Sequence, residues 1–504
     1  VAPAALHGSA ADNNRRVIGF GRIALMRGIV WFRRDLRLHD NPALAAACET
    51  CTEVIPLFVF DEPLLRSQVF GSACVNFMIG CLEDLAASLA ARGLPLRWRR
   101  GEPGEELVNA AREWKADAVY WNRDYEPGAI ERDRTVQQRL AQMGVPVRTF
   151  KDHVVFEAEE VRGATGEPLQ RYSAYRARWW TKWEATKPTV LPIPAGLSGE
   201  KSAPLPPPRP IPTARDLGYE PLTLWIEPGE RQARRRLAWF VAGPIQRYVH
   251  DRNRPALDGT SKLSPHFRFG TVSPRIAIHA ALGALAKGRH PSRPDVLAWI
   301  DELIWREFFQ QVLSAFPRVV EGPFRAASVP PREPGPERDR LLRAWCDGRT
   351  GYPIVDAGMR QLNRTGWMHN RVRMIVASFL IKDLRIDWQS GERYFMRHLL
   401  DADTAANNGN WQWCASTGTD AMRDRIFNPA LQSKKFDADG TYIRQYVPEL
   451  KRVPQKWIHE PHLMIPGEQA RSGCRIGVDY PAPLVDHRQA RQEFLDLGKR
   501  WVMR

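Results

Sequence analysis

A chain of 504 residues exceeds what one ordinary hydrophobic core accommodates, so at least two domains are expected. Apolar residues at 43% with 26% charged exclude a disordered polymer, and seven cysteines in so long a chain exclude a secreted disulfide scaffold. Lysine and arginine number 73 against 57 acidic residues, a net +16 carried mostly by arginine, whose planar fork suits phosphate oxygens. That charge fits a polyanionic partner; an arginine-rich genome would give it as well. No apolar run approaches the roughly 18 residues of a membrane span, so a soluble, cytoplasmic protein without a membrane partner is expected.

Residues 1–27 lack a compact apolar signal segment and read as an N-terminal extension. From Gly28 the pattern alternates. Apolar runs at 28–32, 53–60, 95–99, 117–121 and 145–150 read as strands, with helical stretches at 42–49, 71–92, 104–115 and 129–143 between them. That rhythm predicts an α/β domain over 28–158 with a doubly wound, parallel sheet, although no GxGxxG fingerprint is present. Cys48 and Cys51 have CxxC spacing with Cys74 and Cys81 downstream, but no second close pair follows. Reduced thiols, not a metal site, are the reading taken.

Residues 159–228 read as an interdomain connector, with nine prolines between 188 and 212. Beyond it, 229–504 loses the strand signal and becomes a large, mainly helical domain. In DGTSKLSPHFRFGTVSPR (258–275), Gly259, Thr260, Ser261 and Ser264 gather hydroxyls and backbone N–H groups at a helix mouth. Such a cluster either holds a phosphate or simply caps the helix. In WIDELIWREFFQQVL (299–313), Glu302, Trp305, Arg306 and Phe309 fall on one helical face, with Ile304, Phe308 and Val312 on a core face. A single helix over 365–384 would align Trp367, Asn370, Arg371 and Met374 in the same way. A face of carboxylate or amide, indole and guanidinium can stack on a flat polar ring and hold its phosphate; it also describes an ordinary ion pair over a half-buried tryptophan. NNGNWQWCASTGTD (407–420) adds two tryptophans, Trp411 and Trp413, among amides and hydroxyls.

Taken in order, WFRRDLRLHDNPAL, DGTSKLSP, ELIWREFF, GYPIVDAGMRQLNRTGWMHNRVRM, GERYF and NNGNWQW resemble the DNA photolyase/cryptochrome family over about residues 28–490. NRVRM after WMH resembles the class I cyclobutane pyrimidine dimer photolyases. The resemblance implies FAD within the helical domain, held by Tyr248, Thr260, Ser261, Lys262, Leu263 and Ser264, with Trp299 lining the pocket. Asp401, paired with Arg373, and Asp403 would face the flavin, and Asn407 would sit beside its reactive ring nitrogen. UV-damaged DNA would be the partner, with a flipped-out dimer between Trp305 and Trp413. Glu302 and Asn370 would bond the pyrimidine edges, Met374 would touch the dimer, and Arg252, Arg306, Arg371 and Gln432 would engage the DNA. Trp411 and Trp388 match the first two members of an electron relay to the flavin, whose third tryptophan is missing from 324–339.

The implied activity is light-driven dimer repair by a monomer, associated with the nucleoid if the cell is bacterial. The alternative is a cryptochrome-like blue-light photoreceptor without repair, which Asn407 disfavours. A non-enzymatic DNA-binding flavoprotein is the third reading. Pro127-Gly128 after Tyr125-Glu126 departs from the folate-binding pattern, so a deazaflavin or second flavin is the expected antenna, if one is present. Asn410 stands where relatives have glycine and is expected to alter a turn before Trp411.

Overall fold

The computed structural model describes residues 25–195, 205–286, 292–327, 329–420 and 425–502. Most of the expected N-terminal extension therefore lies outside the described residues. Strands β1 (Leu25–Phe32), β2 (Cys51–Asp61), β3 (Arg97–Gly101), β4 (Ala118–Asn122) and β5 (Val147–Phe150) form one parallel sheet in the order β3-β2-β1-β4-β5. Its crossovers carry α1 (Pro42–Thr50), the short α2 (Glu62–Ser67), α3 (Ser72–Ala90), α4 (Pro103–Glu113) and α5 (Pro127–Gln142). Every strand lies where the alternation placed it.

Side chains alternate across the sheet, and both faces are covered. Ile29, Trp31, Ile55, Leu57 and Trp121 pack under α4 and α5 side chains such as Leu107, Val136 and Leu140. Val30, Phe32, Phe58 and Phe60 face the other way, into a core that continues unbroken to Ile375, Phe379 and Trp411 of the helical half. Helix α3 overturns one expectation: by length and composition alone it could cross a membrane. Here Val75, Phe77, Leu82, Leu85 and Leu89 are buried in that shared core, which accounts for its apolar character.

The helical half runs through α6 (Tyr172–Thr186), α7 (Glu230–Ala242), α8 (Tyr248–Asp251), α9 (Ser264–Arg268), α10 (Pro274–Ala286) and α11 (Arg293–Ala315). It continues with α12 (Pro336–Cys346), α13 (Pro353–Thr365), α14 (Asn370–Ser378), α15 (Trp388–His398), α16 (Thr404–Ala415) and shorter helices up to His487–Val502. Helix α6 interrupts the expected connector; its Tyr175, Trp179 and Trp183 share a core with Trp299, Ile304 and Phe308 of α11. The single helix expected over 365–384 is broken. Gly366 at φ 68° ends α13, His369 caps α14 by accepting from the Arg371 N–H, and a one-turn π segment follows over Phe379–Asp383. Trp367 therefore leaves the α14 face and packs against Trp225, ring centroids 5.3 Å apart.

Two buried charge clusters join the halves. Asp152 pairs with both Arg37 and Arg275, and Arg275 also pairs with Asp40 at 2.9 Å. Arg34, just beyond β1, pairs with Asp124, with Glu126 at 2.7 Å, and with Asp403 across the interface. Asp403 also caps α16, accepting from the Ala406 N–H at 2.9 Å, and Gln310 of α11 donates to it at 3.3 Å. Burial alone would raise the Asp403 carboxyl; the Arg34 and Arg306 cations outweigh it and hold it well below the usual range. Replacing Arg34 with methionine leaves that carboxylate buried without its main cation, so urea denaturation at neutral pH should show a loss of about 3–5 kcal/mol. Because the folded pKa is depressed, this contribution is complete above about pH 3.9 and fades as the pH falls below that value, so the two proteins should converge in acid.

Candidate active site

Helix α16 arranges the site. Residues two apart on a helix point to different sides, and Trp411 and Trp413 do so: Trp411 is 2% exposed, whereas Trp413 is half-buried with Arg425 over its ring at 5.4 Å. Asn407 lies one turn before Trp411 on the buried side, its Nδ2 donating to the Glu392 carbonyl at 3.0 Å. The other amides fasten the helix. Asn408 donates to the Val319 carbonyl and to Glu392 Oε1, and Gln412 bonds Asn408 Oδ1, the Val319 carbonyl and the Phe324 N–H. No turn precedes Trp411. Asn410 sits mid-helix with its amide donating to the Ala406 carbonyl at 2.7 Å, so the glycine-to-asparagine departure is absorbed at an exposed position.

Gly409 is different. A Cβ there would stand 2.2 Å from the Phe309 ring, so a glycine is what lets α16 approach α11. Along α11, Trp305 stacks on Tyr172 with centroids 3.6 Å apart and planes 8° from parallel, which leaves only one indole face to a ligand. Glu302 is 38% exposed at its side chain and accepts from Arg252 Nη1 at 2.7 Å, a pairing that spacing did not reveal. Burial pushes the Glu302 carboxyl up and Asp301 adds to that, while Arg252 and Arg371 pull it back; the net direction is upward.

Arg306 departs from its expected role at DNA. Its guanidinium turns inward, donating to the His153 carbonyl at 2.8 Å and meeting the His153 ring, in the same buried cluster as Arg34 and Asp403. Burial, with Arg34 beside it, lowers Arg306 to about 10, and the His153 imidazole is held at about 3 by burial and by the two arginines. The ring is therefore neutral at pH 7 and accepts instead of repelling. On α14, Asn370 is exposed, and Arg371 is fixed by Asn253 Oδ1 at 2.8 Å and lies over Phe436 at 4.7 Å, with Met374 beside it at 3.7 Å. Gln432 lines an open groove of about 530 Å³ with Phe427, Asn428, Arg488 and Arg491.

The residues expected at the cofactor lie on or beside α8, α9, α11, α14 and α16. Arg373 Nη2 donates to both Asp401 oxygens, at 2.9 and 3.1 Å, the pairing expected from the resemblance. Asp403, expected to face a flavin, is committed to Arg34 and the α16 cap. Leu263 and Trp299 are buried, Tyr248 packs edge-on to Phe240, and Lys262 adopts φ 51° with its ammonium on Asp258 at 2.7 Å. Ser264 is exposed and is not the helix cap; Leu263 stands there, without a side-chain bond. Arg236 of α7, which the motif reading missed, donates to the Thr260 and Ser261 carbonyls and pairs with Asp258.

Two buried polar atoms here lack a partner: Thr260 Oγ1 and His369 Nε2. Orphans of that kind cost free energy unless a ligand meets them. A hydroxyl, a neutral imidazole and the Lys262–Arg236 cations suit a phosphate-bearing cofactor such as FAD. Trp388, expected beside Trp411, is 8% exposed at the start of α15. The ring neighbours of Trp411 are Phe395 at 5.0 Å and Trp345 at 6.2 Å, neither singled out from the sequence.

A parallel α/β half clamped to a helical half with such a cradle defines a two-domain, nucleotide-cofactor protein. Residues 28–195 match the family model described as DNA photolyase, and residues 299–500 match the FAD binding domain of DNA photolyase. The deoxyribodipyrimidine photo-lyase of Synechococcus sp. is 42% identical over 478 residues, 92% of this chain and 95% of that protein. A bacterial class III photolyase from Agrobacterium tumefaciens superposes with TM-score 0.85 at 36% identity, covering 97% of this chain and 100% of that one. An archaeal photolyase from Sulfolobus tokodaii, with two FAD molecules, gives 0.76 at 31% identity, covering 94% and 100%. The chain belongs to the DNA photolyase family and binds FAD.

Substituting Gly409 with alanine forces α16 off α11; thermal unfolding should show about 1–3 kcal/mol of destabilisation, and flavin retention on gel filtration should fall with it.

Proposed function

We propose that the protein is a DNA photolyase that splits cyclobutane pyrimidine dimers in DNA by light-driven electron transfer, and that it lies nearest class I on its Asn370–Met374 run. The observation that carries this reading is the two-sidedness of α16, with the Asn407 amide buried on one face and the Trp413 indole offered to solvent on the other. FAD held by these residues would, when fully reduced and excited by light, supply one-electron chemistry for opening the dimer ring.

The chain does the rest. Thr260, Ser261, Lys262 and Arg236 hold phosphate, and Arg373–Asp401 fixes the polar side of the pocket. Asn407 supplies a neutral amide where a carboxylate would repel negative charge. Trp305, made rigid by Tyr172, and Trp413 stack the flipped-out pyrimidines, each stack contributing about 1–3 kcal/mol. Arg371, held ready by Asn253, meets a backbone phosphate. Glu302 leaves Arg252 and donates from its acid form to a pyrimidine carbonyl, while Arg252 turns to the DNA. Tyr125 is bonded to Glu157 and Glu126 to Arg34, with Pro127 opening α5, so an antenna of flavin or deazaflavin type fits better than folate.

Blue light on chemically reduced protein with UV-irradiated oligothymidine should restore the thymine absorbance catalytically; no turnover would leave the photoreceptor reading in its place. The upward-shifted Glu302 pKa keeps its acid form to higher pH than an ordinary glutamate, so repair yield should fall as pH rises through that value. Glu302→Gln, which does not ionise, should flatten the profile. Arg371→Gln should weaken binding of damaged and undamaged DNA alike and lower the salt slope by about one.

A further inference from the structure

We propose that Trp345 and Tyr394 form the outer limb of an electron path from Trp411 to the surface, in place of the tryptophan missing from 324–339; this rests on the flavin reading above. The Trp411 and Trp345 rings are 6.2 Å apart at 70°, and the Trp345 and Tyr394 rings are 5.7 Å apart at 66°. Phe395 fills the angle between them, 5.0 Å from Trp411 and stacked on Trp345 at 6.3 Å. The rings thus make a continuous aromatic column from the helix that carries Asn407.

The surroundings of each ring suit it to its place in the column. Trp345 is wholly buried, and its N–H donates to the Val376 carbonyl at 3.0 Å. That oxygen is too weak a base to take a proton, so an oxidised indole there keeps its proton and draws an electron from the next ring. Tyr394 is half-buried, and its hydroxyl donates to Asn363 Oδ1 at 2.8 Å at an exposed edge, with the Cys346 carbonyl as the alternative acceptor at 3.2 Å. Its other neighbour is His398, stacked at 3.9 Å. Burial holds the His398 imidazole below its usual pKa, so it is neutral at pH 7 and does not oppose positive charge on the phenol.

Each photon absorbed by the oxidised flavin moves one electron inward, from Trp411 to the flavin, from Trp345 to Trp411 and from Tyr394 to Trp345. The Tyr394 phenol loses its proton to water. A thiol reductant then returns a hydrogen atom to the tyrosyl oxygen and becomes a thiyl radical. Trp388, at the start of α15, is the competing limb.

Illuminating oxidised holoprotein with thiol separates the two limbs. Trp345→Phe and Tyr394→Phe should each slow flavin reduction about tenfold, with Trp388→Phe much less affected. Time-resolved absorption should show a tyrosyl radical in the parent and none in Tyr394→Phe. Tyr394→Phe removes one hydroxyl, so a parental flavin content certifies its fold. Its dithionite-reduced form should repair dimers at the parental rate, which keeps this inference separate from the repair reading: a reduced parent that fails to repair sinks only the latter. Parental reduction rates in both Trp345→Phe and Tyr394→Phe, or a parent without a tyrosyl radical, would overturn the path.

Discussion

The Arg34–Asp403 pair is the contact on which the rest depends. It spans 369 residues, ties the C-terminal end of β1 to the N-cap of α16, and is buried on both sides. An N-cap carboxylate already satisfies free N–H groups and favours the helix dipole. Here the same carboxylate is also the anion of an interdomain ion pair, so the position of α16 is set by the α/β half. The residues proposed to act from that helix, Asn407 to Trp413, inherit their position from this pair.

Fixing one helix is economical because α16 has two uses. Its buried side continues the core shared with the sheet and carries Trp411 against Phe395 and Trp345. Its outer side carries Trp413 with Arg425 over the ring, while on α11 and α14 the residues Trp305, Glu302 and Arg371 are each fixed by a neighbour. The amides that looked out of place beside tryptophans act as fasteners: Asn408 and Gln412 bond the loop around Val319 and Phe324, and Gly409 sets the closeness of α11. Arg306 belongs to the interface and not to DNA, which removes one cation from the binding face and adds one to the clamp.

The sheet was legible in the sequence because buried parallel strands write near-continuous apolar runs between helices, and all five were placed. The Arg373–Asp401 pair and the separate tasks of Trp411 and Trp413 were legible only through the family resemblance; the helix that turns the two indoles apart was not expected, since a turn was placed before Trp411. Side-chain partners distant in the chain were not legible. Arg34, His153, Asn253, Tyr172, Arg236 and Trp345 act through contacts that no local spacing encodes. A partial signal existed in the charged run Arg33-Arg34-Asp35-Leu36-Arg37 directly after an apolar strand, since strand C-terminal ends are where such sheets meet their ligands and neighbours. The break at Gly366 was missed because helical periodicity continues on both sides of it, and only the left-handed glycine with the His369 cap shows where the chain turns.

The most direct measurement is the flavin content and damaged-DNA affinity of Arg34→Met, compared with the parent at neutral pH under conditions where both are folded. Arg34 is not among the residues proposed to hold the cofactor or to stack on the dimer, so it affects them only through the elements it holds, α16 directly and α11 by way of His153 and Arg306. A fall in flavin retention and in dimer affinity together is the predicted result. Parental values of both in a folded variant would contradict the account.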